Sequence, residues 1–197
     1  METKIQKHII DYFSCLEEFF NSAKSGLKTC QNCAISVNKV IQRCKHIKEA
    51  DVIGTPLEDF VGLQSKLLTC LHNLISEEVV EVKKQQSILE ELFEKLCFKN
   101  NLLHESCRGI DFSISNPSAL VNGSPLQPPL HQLLEFASDS ITFGSQICAQ
   151  IDTALQVLSF KGLNTEYFVD SFKFPTDWNT KIKEIIAYTS FCSENKI

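Results

Sequence analysis

An unbroken apolar periodicity near the start of the chain constrains its fold more than any other feature. From Ile9 to Cys44 an apolar residue recurs at alternating steps of four and three, as on one face of an α-helix. Eleven successive positions fit: Ile9, Phe13, Leu16, Phe20, Ala23, Leu27, Cys30, Ala34, Val37, Ile41 and Cys44. Gly26 lies inside the run without changing its phase and costs only about 1 kcal/mol. The pattern predicts one long helix whose seam needs a partner helix along its length.

A second helix is predicted to start at Pro56 and to run for about 50 residues. Thr55-Pro56-Leu57-Glu58 has the form of a capping box, and Pro is favoured at the first helical position. One heptad class is apolar for seven repeats: Val61, Leu68, Ile75, Val82, Leu89, Leu96 and Leu103. A short loop between helices of matched length makes them antiparallel neighbours, so residues 1–108 are predicted to form a long helical hairpin.

The remainder of the chain adds a linker, a third helix and a tail. Residues 109–129 are rich in Gly, Pro, Ser and Asn, which predicts a flexible linker. Residues 130–160 form the third helix, where small residues at Ala137 and Gly144 predict close packing on the hairpin. Residues 161–197 are predicted to be an extended aromatic tail that ends in a short helix. The predicted fold class is therefore all-α: an antiparallel bundle of three long helices with a short C-terminal helix.

The apolar stripes of the hairpin are wider than two helices can cover, so another helix or another protein must complete the core. The stripes are widened by further apolar residues: Phe19, Phe60, Leu67, Leu74 and Phe93. We therefore consider seam residues as candidate partner contacts. These candidates are Phe13, Phe20, Leu68, Ile75 and Ile141.

Composition and charge narrow the class of protein. No apolar run approaches the roughly 20 residues of a membrane span, and the polar start does not resemble a secretory signal. Most of the nine cysteines occupy apolar helical positions, as expected of reduced thiols in the cytoplasm or nucleus. The net charge of -5 argues against autonomous nucleic-acid binding. Six cations nevertheless meet no acidic residue between Phe19 and Lys48: Lys24, Lys28, Lys39, Arg43, Lys45 and Lys48.

That basic stretch has two interpretations. A solvated helix face is favoured, and contact with an acidic protein or with RNA inside a larger assembly is the alternative. Cys30-Gln31-Asn32-Cys33 with Cys44 and His46 could similarly supply zinc ligands, but zinc usually takes such cysteines from a turn. We therefore predict packed thiols, no metal and no cofactor. The sequence contains no P-loop, GxGxxG, GxSxG or HExxH motif, so we predict a protein without catalytic residues that is not an enzyme.

Aromatic residues crowd into the tail, where no heptad requires them. A strap that folds back onto the bundle and an anchor for a partner protein are both consistent with this composition. The candidate anchor residues are Phe172, Phe174, Pro175 and Trp178.

The order of helical hairpin, linker, third helix and aromatic tail resembles that of the AIRIM-type ribosome maturation factors, which associate with AAA+ ATPases. Short strings carry the resemblance: Gly109-Ile110-Asp111, Pro117-Ser118-Ala119, Leu133-Leu134-Glu135-Phe136, Phe174-Pro175-Thr176-Asp177-Trp178 and Ser190-Phe191. The Pro-x-x-Trp spacing of the tail, after Gly-Ile-Asp in the linker, is the most specific of these elements.

The resemblance implies a non-catalytic subunit that pairs with a second small helical protein similar to CINP and docks on a hexameric AAA+ unfoldase. It also implies a role in maturation of the large ribosomal subunit, with indirect contact to the pre-ribosomal particle, and in chromatin-associated protein turnover during replication. The implied location is cytoplasmic and nuclear. A generic coiled-coil scaffold subunit and a small metal-binding helical protein are the alternatives.

Overall fold

The protein is described here from a computed structural model that covers residues 2–110, 118–125, 127–158 and 165–193. Its helices in chain order are α1 (Glu2–Glu49), α2 (Leu63–Cys107), α3 (Ala119–Asn122), α4 (Leu130–Leu158), α5 (Thr165–Asp170) and α6 (Thr176–Thr189), and a 3₁₀ turn follows at Ser190–Ser193. Within these ranges, extended pairing is limited to one isolated bridge between Ser124 and Gln127. The predicted all-α class is confirmed. None of the described helices is long and apolar enough to cross a membrane.

The first helix follows its predicted seam closely. α1 runs as one continuous helix through the whole predicted stretch and beyond both of its ends. Ten of the eleven seam residues are buried, and Ile41 is half-buried. Gly26 is helical and buried, so it does not interrupt α1. Burial of the seam stabilises this helix more than the single glycine weakens it.

The second helix begins at Leu63, so the prediction of a start at Pro56 was wrong. Two side-chain hydrogen bonds form there, each with a donor one residue away from the capping-box pattern: the Leu57 amide donates to Thr55 Oγ1 over 3.2 Å, and the Gly54 amide donates to Glu58 Oε2 over 2.8 Å. They stabilise a series of turns instead of a helix. Gly62 has φ +75°, in the left-handed region that interrupts a helical backbone, and α2 starts directly after it.

Part of the predicted linker is folded. Ser118 caps α3, with its Oγ accepting the Leu120 amide over 3.2 Å, and Leu120 and Val121 are buried. Residues 111–117 and 126 lie outside the described ranges, so the predicted flexibility of the linker stays a prediction there.

The chain's internal contacts divide it into two compact units. The first unit combines α1 up to Ser25, α2 from Ile88 through the linker to Ala149 in α4, and the segment that starts at Phe174. The second unit combines Gly26–Ser87 with Gln150–Lys173. Each of the three long helices therefore contributes to both units.

Four helices pack together in the first unit. Ion pairs of Asp11 with Lys99 (3.3 Å) and of Glu18 with Lys95 (2.7 Å) show that α1 and α2 run antiparallel. α4 joins them, since the Tyr12 hydroxyl donates to the Ala137 carbonyl over 2.9 Å. The short C-terminal helix was predicted, but its role as a fourth bundle member was not. α6 packs on α4 through two pairs: Lys181 with Asp139 (2.9 Å between charged atoms) and Tyr188 with Phe136 (6.3 Å between ring centroids).

Phe143 on α4 is the centre of an aromatic cluster in this unit. Its side chain is fully buried, and rings from α1 and from the tail surround it. The centroid distances from Phe143 are 5.8 Å to Phe19, 6.2 Å to Phe20, 5.9 Å to Phe174 and 5.7 Å to Trp178. Such edge and tilted contacts add to the burial of apolar area. The cluster joins the aromatic tail to the helices that precede it.

Gly144 gives a direct test of the close packing predicted for α4. A Cβ atom on Gly144 would lie 2.5 Å from the Phe93 ring, so the ring would have to shift. We expect Gly144→Ala to lower the free energy of unfolding by about 2 kcal/mol, the usual scale of overpacking. Denaturant unfolding measures the change, and Ser145→Ala at the neighbouring exposed position is the matched control. Unchanged or higher stability of Gly144→Ala would contradict this packing.

The second unit is held by polar contacts to backbone carbonyls. Gln64 Nε2 donates to the carbonyls of Ile47 and Ala50, over 3.0 and 2.7 Å, and so ties the start of α2 to the end of α1. Gln150 Nε2 donates to the carbonyls of Ser171 and Lys173, over 2.6 and 2.9 Å. These bonds satisfy carbonyls that no helix satisfies.

The stretch from Lys161 to Asp177 was predicted to be extended, and this was wrong for residues 165–170 and from Thr176 onwards, whereas residues 171–175 are not helical. α5 forms a short helix there, and α6 begins at Thr176. Phe168 on α5 and the following Phe172 are both buried and pack edge to face, with 5.2 Å between their ring centroids. Burial of this aromatic pair stabilises a helical turn. The heptad pattern of apolar residues does not predict that turn.

Candidate partner-binding surfaces

The second unit exposes an unusual number of large apolar side chains where α1 turns into α2. We call them the hairpin-end surface: Ile53, Leu57, Phe60, Val61, Leu67 and Leu74. Val61 is 89% exposed, Ile53 77% and Phe60 62%. Exposed apolar side chains in such number within one short stretch are characteristic of a binding site.

The hairpin-end surface follows from the way α2 is buried. Among residues 63–87 of α2 only Val82 is fully buried, whereas later seam residues such as Leu89 and Leu96 are completely covered. Leu67 and Leu74 are seven residues apart and therefore share one face of the helix. The first turns of α2 thus carry an apolar stripe that this chain covers only in part.

Hydrogen bonds hold the turn that carries Ile53, Leu57 and Phe60. The Ile53 amide donates to Asp51 Oδ1 over 3.0 Å, and the Thr55 hydroxyl donates to the Val52 carbonyl over 2.7 Å. Together with the Gln64 contacts to α1, these bonds fix the backbone under the exposed side chains. A surface that is ordered before binding loses less conformational entropy when a partner docks.

The candidate seam residues fall into two groups. Phe13 and Phe20 are buried in the first unit, and Ile141 is half-buried there, which gives the two phenylalanines a packing role. Leu68 and Ile75 are half-buried on α2, next in sequence to Leu67 and Leu74 of the hairpin-end surface. The partner-binding role of all five residues stays a prediction.

The candidate anchor residues of the tail make internal contacts. Phe172 is buried, Phe174 packs edge to face on Phe20 at 5.7 Å between centroids, and Pro175 directly precedes α6. Trp178 Nε1 donates to Gln146 Oε1 over 2.6 Å. These contacts favour the strap interpretation, and the role of the tail as a partner anchor stays a prediction.

The cysteines have the environment of packed thiols. All nine are free, and Cys30 and Cys33 are buried on α1. Burial raises the pKa of Cys30 to about 12. Burial, followed by a hydrogen bond with the Glu78 carboxylate, raises the pKa of Cys33 to about 12. Among the described residues no three His, Cys, Asp or Glu side chains are grouped to hold a metal ion, and the absence of zinc stays a prediction.

Thiol alkylation tests these environments. With a pKa of about 12, only about one part in ten thousand of Cys30 or Cys33 is thiolate at pH 8, so we expect both to resist iodoacetamide in the folded protein. Cys70 is exposed and should react first. Peptide mass spectrometry over a time course gives the order of modification, and Cys70→Ser should remove the fast phase. Alkylation of Cys30 or Cys33 as fast as Cys70 would contradict the buried-thiol assignment.

Sequence reasoning missed Ile53 and assigned Leu57, Phe60 and Val61 to a helix. An available signal was the run of apolar residues interleaved with Gly54, Pro56 and Gly62, in which no helical period can be sustained. Apolar residues inside a turn-forming segment cannot all be buried by that segment, which points to an exposed apolar surface.

Comparison with known proteins identifies a family. A family model described as CA109-like, Ribosome biogenesis protein C1orf109-like, matches residues 3–191. No curated protein and no solved structure matches the chain. Because the family match spans almost the whole chain, including the hairpin-end surface and the tail, the chain belongs to this family of ribosome biogenesis proteins.

Proposed function

We propose that this member of a ribosome biogenesis family is an AIRIM-type adaptor: a non-catalytic subunit of a AAA+ ATPase complex that acts in maturation of the large ribosomal subunit. The observation that carries the proposal is the hairpin-end surface, an ordered apolar surface on a chain whose sequence contains no catalytic motif. An adaptor needs such a surface, whereas nucleotide hydrolysis would be performed by its partner. The complex would act in the cytoplasm and also in the nucleus, on chromatin-associated proteins.

The partner that fits the surface is a second small helical protein, similar to CINP. An amphipathic helix of the partner could pack along Leu67 and Leu74 and cover the exposed apolar stripe of α2. The side chains of Phe60 and Val61 would contact the end of that helix. Fully burying one such side chain contributes about 1.5–3 kcal/mol, so several together can exceed the cost of association. The assembled pair would then dock on the AAA+ hexamer and reach the pre-ribosomal particle through it.

Affinity purification of the tagged full chain from its native cells tests the proposal. We expect a AAA+ ATPase and a small helical protein to co-purify with the unaltered chain. Phe60→Ser with Val61→Ser should reduce their recovery at least tenfold, because exposed apolar anchors dominate such interfaces. Phe98→Ser with Val80→Ser is the matched control, since these side chains are also exposed, at 60% and 65%, but lie outside the hairpin-end surface.

Two results would contradict the proposal. If no AAA+ ATPase co-purifies with the unaltered chain, the proposed adaptor function is contradicted. Equal losses with the two double variants would show that the hairpin-end surface is not the docking site. Recovery of cytoskeletal or tethering subunits in place of an ATPase would favour a generic scaffold.

A further inference from the structure

The outer face of α1 in the second unit carries cations without acidic partners. The cations are Lys28, Lys39 and Arg43, which are exposed and form no ion pair among the described residues, and the exposed side chain of His46 lies on the same helix. Lys39, Arg43 and His46 follow one another at steps of four and three, and Lys28 precedes Lys39 by eleven residues, so all four share one helix face. We call this face the basic stripe.

Two carboxylates of α2 act on the buried side of α1 in the second unit. Glu78 and Glu81 on α2 influence Cys33, which belongs to the buried side of α1. No Asp or Glu occurs in α1 between Glu18 and Glu49. The acidic residues that give the chain its net charge of -5 therefore lie outside this stretch of α1. At physiological salt, their electrostatic effect on the stripe is screened beyond about 8 Å.

The chemistry of the stripe fits phosphate better than it fits a protein helix. Asn38, Lys39, Gln42, Arg43 and His46 line an open groove of about 450 Å³ on this face. Lys, Arg, Asn and Gln side chains are the usual donors to phosphate oxygens. By contrast, Ile35, 37% exposed, is the one large apolar side chain that α1 exposes, whereas a protein helix would require several apolar anchors.

We infer that the basic stripe binds the phosphate backbone of RNA, a contact separate from the partner-docking surface at the hairpin end. From Lys28 to His46 the stripe extends about 27 Å along the helix axis, which is long enough to contact several successive phosphates. With so few cations the contact is weak in isolation and sensitive to salt. It adds affinity for an RNA-containing particle once a partner has brought the chain to that particle.

Fluorescence anisotropy with a labelled 20-nucleotide oligouridylate, titrated with the full chain at low salt, tests the inference. Lys39→Glu with Arg43→Glu should weaken binding at least tenfold and lower the slope of log affinity against log salt by about 1.4, the share of two phosphate contacts. Lys66→Glu with Lys83→Glu is the matched control. It makes the same charge change at exposed cations of the second unit outside the stripe, and it should alter affinity less than twofold.

Three results would overturn the inference. No binding by the unaltered chain at low salt would remove the RNA contact, and equal losses in both double variants would attribute binding to overall charge alone. A polyglutamate peptide that displaces RNA from the stripe at equal or lower concentration would assign the stripe to an acidic protein. Helical circular dichroism and thermal melting of each variant must match the unaltered chain. The stripe variant should still recover the ATPase in affinity purification, so this test is independent of the adaptor proposal.

Discussion

Phe143→Ala should lower the free energy of unfolding by about 4 kcal/mol, because it deletes a fully buried aromatic ring in a cluster that cannot easily collapse. Rings from α1 and the tail contact Phe143, so their packing is lost together with the transfer energy of the deleted atoms. Denaturant unfolding followed by circular dichroism measures the loss.

Phe98→Ala is the control for that experiment. Phe98 is the same residue type in the first unit but is 60% exposed, and its truncation should cost less than about 1 kcal/mol. Similar losses in the two variants would contradict the assignment of Phe143 to the centre of the unit.

Trp178→Ala should destabilise the isolated protein by about 3 kcal/mol, the scale for removing a packed aromatic side chain. The indole lies 5.7 Å from Phe143 between centroids and donates a 2.6 Å hydrogen bond to Gln146, and Lys181 Nζ lies 5.1 Å from the ring centre. Each of these contacts is internal to the first unit and is lost on truncation. Thermal and denaturant unfolding measure the change, with Phe191→Ala, at a half-exposed position, as the control.

Affinity for the purified partner, measured on the same Trp178 variant, separates the two interpretations of the tail. A strap predicts a loss of stability with unchanged affinity of the folded fraction. An anchor predicts unchanged stability and a loss of about 2 kcal/mol or more in binding. The internal contacts of Trp178 lead us to expect the first outcome.

The sequence predicted the elements whose pattern is set by local periodicity. Apolar residues recur along the seam of α1 without interruption. Burial of this helix face could therefore be predicted without knowing which residues pack against it. Gly144 likewise indicated close packing from its residue type alone, and the short distance to the Phe93 ring agrees. Both features can be predicted from residues that are close together in the sequence.

The features that sequence reasoning missed depend on contacts between distant parts of the chain. The side chains of Thr55 and Glu58 bond neighbouring amides within a turn, because side-chain to backbone bonds of this kind do not require a helix after them. The packing of α6 as a fourth helix depends on pairs such as Lys181 with Asp139, which no periodicity connects. For the same reason, the heptad class that runs from Val61 to Leu103 in the sequence did not distinguish buried Leu89 on α2 from exposed Val61 in the turn before it.

Hydrogen exchange of the full chain, alone and in the complex purified from its native cells, measures directly where the partner docks. An adaptor that binds through the hairpin-end surface should gain protection in residues 53–74, with little change in residues 174–191. Protection confined to residues 174–191, with residues 53–74 exchanging as fast as in the free chain, would contradict docking at the hairpin end and assign partner binding to the tail.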